Sequence, residues 1–224
     1  MSLPADNLST TLNIVQRDLY RYVLAPFLAF GAVGNLLNLI VFVQPYLRTN
    51  PCSIYLLSYT VVSLFWLDFM SVTSLLNIAF SIDVGAYSLV VCQIRTYIAY
   101  VGVNLLPDFL ILAAFDRTCV CSRRVTVRQY SSVKVAAYSI CVVTLFWLLF
   151  NIPAWIFTSI EQLPSGQPIC TPLPGNPFND FIFIFFAISC GILPLIILIT
   201  LAYVVQHIIT VKKMCYCLIL DASH

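Results

Sequence analysis

The sequence predicts an all-α membrane protein built on five spanning helices, and three observations carry that expectation. First, 61% of the 224 residues are hydrophobic and only 9% are charged, with a mean hydropathy of +0.95. Soluble domains run at about 45–50% apolar and about 25% charged, so a chain this oily could not hide its apolar surface in one aqueous core. Second, five apolar runs reach the roughly 20 residues that a helix needs to cross a bilayer. Third, the basic residues are shared unevenly between the two sides that those runs define. A net charge of +2 is too small to argue for a nucleic-acid partner.

The elements follow in order. Residues 1–21 are polar and read as an extracellular tail, with no apolar core of the kind that marks a cleaved signal peptide. The bundle, 22–206, is expected to hold helices at about 22–43, 54–80, 92–118, 135–159 and 181–206. Tyr22 opens the first, Tyr87 precedes the third, Tyr130 precedes the fourth and Trp155 closes it; such residues anchor helix ends at the headgroups. Residues 207–224 read as a cytoplasmic tail. The sequence shows no internal repeat, low-complexity segment or soluble domain.

Orientation follows from lysine and arginine, which stay in cytoplasmic loops. One side holds three, Arg17, Arg21 and Arg95. The other holds eight, Arg48, Arg117, Arg123, Arg124, Arg128, Lys134, Lys212 and Lys213. The expected N-terminus is therefore outside and the C-terminus inside, as in a multi-pass plasma-membrane protein. Asn7-Leu8-Ser9, the one glycosylation triplet, falls in the outer tail.

Of nine cysteines, only Cys92 and Cys170 fall on the outer, oxidising side. A disulfide between them is the economical reading; two unpaired surface thiols are the alternative. Cys52, Cys119, Cys121, Cys215 and Cys217 lie on or near the inner side, as free thiols or acylation sites. Cys141 and Cys190 read as packing residues inside helices. No histidine lies near Cys119 and Cys121, and His207 stands too far along its helix to serve as a ligand, so no metal or other cofactor is expected. Nor is an enzyme, since no nucleophile–base set accompanies the two histidines.

The stretch "ILAAFDRTCVCSRR", residues 111–124, puts an acid and a base together where an apolar run ends. Arg117 comes 25 residues after Cys92. At about 1.5 Å per residue that is about 37 Å, enough to cross a bilayer. One helix is thus read as tied by a disulfide outside and ending in an ion pair inside.

At this point the chain resembles the rhodopsin-like G-protein-coupled receptors, of the invertebrate peptide-receptor type. In that family the third helix begins with a disulfide cysteine and ends in Asp-Arg-Tyr at this spacing; here it reads Asp116-Arg117-Thr118. "GAVGNLLNLIVF" puts Asn35 at the family's helix-one asparagine, and Ser63 stands where helix two carries an aspartate. Trp147 fits the helix-four tryptophan, with Pro153 beyond it, and Pro194 the helix-five proline. The resemblance covers about residues 20 to 210. It implies a fold that is the five-helix portion of a seven-transmembrane receptor bundle. It also implies a G-protein partner met by Arg117 once Asp116 releases it, an extracellular ligand and surrounding lipid. Arg123, Arg124 and Arg128 would face lipid or the G protein, or serve only as topology markers.

The departures are informative. Ser63 is a poor anchor for the sodium ion that many relatives bind. Ala99 stands where amine receptors carry an aspartate, so a peptide or another non-amine ligand is expected. The pocket face would carry Arg95, Ala99, Tyr100 and Val103. Arg95 either meets a ligand carboxylate or snorkels to the headgroups. Asp68 and Asp108 sit at membrane depth, where ionisable groups are costly and face a partner or cavity; each is read as functional or as simply satisfied in the bundle. Pro107 is expected to kink the third helix. The sequence ends soon after the fifth helix, so it reads as a receptor truncated there and not expected to drive nucleotide exchange alone. The rival readings are a multi-pass transporter and a non-signalling receptor fragment that partners full-length relatives.

Overall fold

The computed structural model describes residues 3–80, 84–122, 124–162, 168–172, 181 and 184–221, with side chains given throughout except at 3–9, 13, 84, 87, 172, 209 and 211–221. Five of its helices are long and apolar enough to cross a membrane: Thr10–Phe42, Pro51–Phe80, Leu89–Cys121, Val133–Ile156 and Ile184–Ile208. They are numbered one to five below.

Helix one consists of α1 (Leu3–Leu19), a π turn (Tyr20–Leu24) and α2 (Ala25–Phe42). The expected tail, 1–21, is therefore helical from Leu3 onward. Residues 5–19 contain neither glycine nor proline, and a helix already nucleated propagates at little cost. The polar composition reported solvation, not conformation. Arg21 ties this helix to the second: its Nη2 donates to the Ala79 carbonyl at 2.5 Å. The guanidinium also lies 5.2 Å from the Phe80 ring centroid. A cation at the carbonyl end of a helix is well placed.

Helix two begins at Pro51, three residues before the expected start. It runs through α3 (Pro51–Trp66), a π turn (Leu67–Ser71) and α4 (Val72–Phe80). Asn50 is the reason for the early start: its Oδ1 accepts from Cys52 N at 3.1 Å, an N-cap followed by proline at the first helical position.

Helix three, α5 (Leu89–Cys121), is central and continues through Pro107. Its buried Val101, Leu105 and Phe109 pack with Trp147 of helix four. Nearer the inner end, Ala113 packs with Cys52, Tyr55 and Ala136. After the short α6 (Val125–Arg128), helix four is α7 (Val133–Phe150), capped by Ser132, whose hydroxyl accepts from Val135 N at 3.3 Å.

The expected helix 135–159 stops early. Proline cannot donate to a preceding carbonyl, and with Pro153 next the chain turns at Asn151 into the single turn α8 (Ile152–Ile156). It then forms a hairpin that was not expected, β1 (Thr158–Gln162) antiparallel to β2 (Pro168–Pro172), with Ile160 opposite Cys170. Helix five carries a π turn (Ala187–Ile192) directly before α9 (Leu193–Asp221). The wide turn accommodates buried Pro194, whose missing N–H would break a regular ladder. The backbone stays helical to Asp221, where a tail from 207 was expected.

Candidate functional site

The N-terminal end of helix three is covalently fixed. Cys92, fully buried, is bonded to Cys170 of β2, with their Cα atoms 5.6 Å apart. The hairpin therefore lies across the head of the helix. Thr96 Oγ1 donates to the Cys92 carbonyl at 3.0 Å, and Tyr97 Oη donates to the Leu148 carbonyl at 2.7 Å, docking this end on helix four.

The middle of the bundle carries polar links between helices. Asn35 Nδ2 donates to buried Ser63 Oγ at 3.1 Å, joining helices one and two at the two positions that the resemblance singled out. Asp108 is satisfied within the bundle: Trp147 Nε1 donates to its Oδ2 at 2.6 Å. One turn away, buried Asn104 donates to the Tyr100 carbonyl at 2.8 Å and accepts from Cys190 Sγ at 3.2 Å. Cys190 is thus a hydrogen-bonding link between helices three and five as well as a packing residue, while Cys141 is exposed. Asp68 differs from Asp108. It is exposed beside a groove with Leu39, Leu64 and Phe69, and its carboxyl makes no hydrogen bond or ion pair with another described residue.

Of the four expected pocket residues, Arg95, Ala99 and Val103 recur every fourth residue along one stripe of helix three, and Tyr100 stands three residues before Val103 on the neighbouring row. Tyr100 stacks on Phe186 of helix five, with ring centroids 4.6 Å apart. The Ala99 carbonyl accepts from Trp66 Nε1 of helix two at 3.2 Å. Arg95 is half-buried near the disulfide.

The inner end corrects one expectation. Asp116 and Arg117 form no ion pair with each other; the ion pair among the described residues is Arg17–Asp18. Adjacent residues on a helix point about 100° apart, and each finds its own partner. Asp116, 5% exposed, accepts from Ser131 Oγ at 2.7 Å, which pins the loop between helices three and four. Exposed Arg117 reaches the other way, its Nη2 3.5 Å from Oδ1 of Asn50, the cap of helix two. Thr118, in the family's tyrosine position, donates to the Ala114 carbonyl at 3.0 Å within its own helix.

Arg117 also forms one wall of a cavity of about 610 Å³ between the inner ends of helices three and five, with Ala114, Leu198, Leu201, Ala202 and Gln206 around it. Arg124 and Arg128 are exposed on the adjoining loop. Arg123 and the side chains of Asn7, Lys212, Lys213, Cys215 and Cys217 lie outside the described residues. Among the described residues, no cluster of three or more His, Cys, Asp or Glu is placed to hold a metal.

No protein-family model matches the chain, and no curated protein matches it. The geometry therefore defines a class by itself: a helical chain with five helices fit to cross a membrane, pinned by a disulfide at one end of helix three and open beside Arg117 at the other. Sequence reasoning missed Ser131 and Asn50 as the partners of the two charges. The signal for Asn50 was present in Asn50-Pro51, an N-cap pattern that fixes where helix two starts. Ser131 had none, because its contact depends on how the loop folds back.

Proposed function

We propose that the chain forms the five-helix portion of the bundle of a rhodopsin-like G-protein-coupled receptor, with its N-terminus outside and Arg117 facing the G protein. The observation that carries this reading is the cavity beside Arg117. Its wall is apolar apart from the arginine, Gln206 and Thr210. That chemistry suits the C-terminal end of an amphipathic helix, which offers apolar side chains and unpaired carbonyls with partial negative charge.

The orientation is supported by the disulfide, which needs an oxidising compartment. Arg21 contacts Ala79 near the same end of the bundle, so the first helix starts on the disulfide side. The eight basic residues of the other side suit the cytoplasm, and Asn7 would then be open to glycosylation. With Ala99 in place of an acid, an ammonium ligand has no counter-ion on that stripe. A peptide or another non-amine ligand is the better fit.

Binding of synthetic peptides matching the C-terminal helix of G-protein α subunits to the vesicle-reconstituted chain tests the proposal. At least one peptide class is expected to bind. Arg117→Ala should weaken it by about tenfold or more, the value of a charge-assisted hydrogen bond. Equal binding by the alanine variant, or no binding by any peptide, would overturn the reading.

A further inference from the structure

A second cavity, of about 320 Å³, lies between helices two, three and four, lined by Val62, Phe65, Trp66, Ile98, Val101 and Leu105 among others. It is built around a close approach. A Cβ on Gly102 would fall 1.9 Å from Cδ1 of Trp66, so only glycine lets the indole lie against the backbone of helix three. Trp66 Nε1 is engaged by the Ala99 carbonyl at 3.2 Å and Tyr97 Oη by the Leu148 carbonyl at 2.7 Å. The two polar groups on the lining side chains are therefore already satisfied. Val61 and Phe65, 51% and 58% exposed, flank the mouth, which opens outward from the bundle.

We propose that this cavity is a binding site for the acyl chain of a membrane phospholipid. Depth, chemistry and size each point to it. Trp66 lies 15 residues from Pro51 and Gly102 13 residues from Leu89, about 20 Å from the helix ends and so within the hydrocarbon layer. A walled apolar cavity with no free donor or acceptor stays dry and gives a polar ligand nothing to hold. It is also too small for a helix, whose diameter is about 10–12 Å. A methylene occupies close to the roughly 30 Å³ of a water molecule, so the space takes roughly ten of them, the lower part of one chain. Lipid is already apolar, so the gain over free bilayer is dispersion against the indole and Phe65. This inference requires only that the helices span a bilayer and is independent of G-protein coupling.

The test uses the full chain in vesicles containing a phosphatidylcholine with a photoreactive diazirine at mid-chain, with adducts mapped by mass spectrometry. Leu145 and Phe146, 55% and 54% exposed on helix four, supply a reference face open to lipid. Adducts on the cavity residues should exceed those on the reference face by about threefold, a preference of the size that dispersion contacts alone supply. Val62→Phe and Ile98→Phe, which fill the space from opposite helices, should each remove that excess while leaving labelling at Leu145 and Phe146 unchanged. Two variants are used so that a folding defect in one does not decide the matter. Equal labelling of cavity and reference face would overturn the proposal, as would labelling that survives both fillings.

Discussion

The two ends of helix three are held by different chemistry. At one end, a covalent bond joins Cys92 to Cys170 and lays a hairpin over the helix head. At the other, the helix is held by Asp116 accepting from Ser131 and by Arg117 reaching Asn50 at 3.5 Å, the long limit for a hydrogen bond. The disulfide does not open on the timescale of helix motion, whereas the long Arg117–Asn50 contact costs little to open and lies beside a cavity. Between the ends, Asp108 shows that a costly intramembrane acid can be a structural fastening, here through Trp147. Asp68, at a similar depth, has no such partner among the described residues.

The largest effect should come from cutting the fixed end. Cys92→Ser or Cys170→Ser is expected to cost about 2–4 kcal/mol and to lower surface expression, with Cys141→Ser, an exposed free cysteine, as the neutral control. Thermal denaturation in detergent and cell-surface staining would read it. An unchanged melting curve would mean that the outer end is held by packing alone.

The next largest concerns the middle of the helix. Trp147→Phe leaves the Asp108 carboxyl without its donor and should cost about 1–2 kcal/mol. Adding Asp108→Leu should recover part of the loss, because no orphaned polar group remains. A double variant no better than the single would show that the indole matters for its packing with Phe146 and Phe150 and not for its hydrogen bond. Smaller still, Asn35→Ala removes one neutral bond to Ser63. It should cost about 0.6 kcal/mol, typical of such bonds between membrane helices.

How much was legible in the sequence follows the same division. Apolar runs announce spanning helices because lipid leaves the backbone no other solution; four of the five stood within three residues of the observed bounds, and the first starts at least twelve residues earlier than expected. The pairing of Cys92 with Cys170 was readable because compartment logic left those two together. What the sequence hid were contacts decided by direction. Asp116 and Arg117 are neighbours in the chain, yet their helix turns them to Ser131 and Asn50. Tyr100 likewise finds its partner by direction, its ring stacking on Phe186 of helix five. The hairpin at 158–172 and the helical tail were missed for another reason. Short polar segments take their conformation from what they attach to, a proline-broken helix in one case and a nucleated helix in the other.

On the proposed function, the 3.5 Å contact with Asn50 competes with a bound peptide for Arg117, which lines the cavity between helices three and five. Two substitutions at Asn50 test it while preserving the N-cap, since aspartate and serine both cap helices well. Asn50→Ser is too short to reach the guanidinium and should tighten binding of the G-protein α-subunit peptide by about threefold, the value of one weak hydrogen bond released. Asn50→Asp adds a charge opposite Arg117 and should weaken binding by at least as much. Shifts of opposite sign are expected. Two variants that bind as the unmodified chain does, or that move in the same direction, would contradict it.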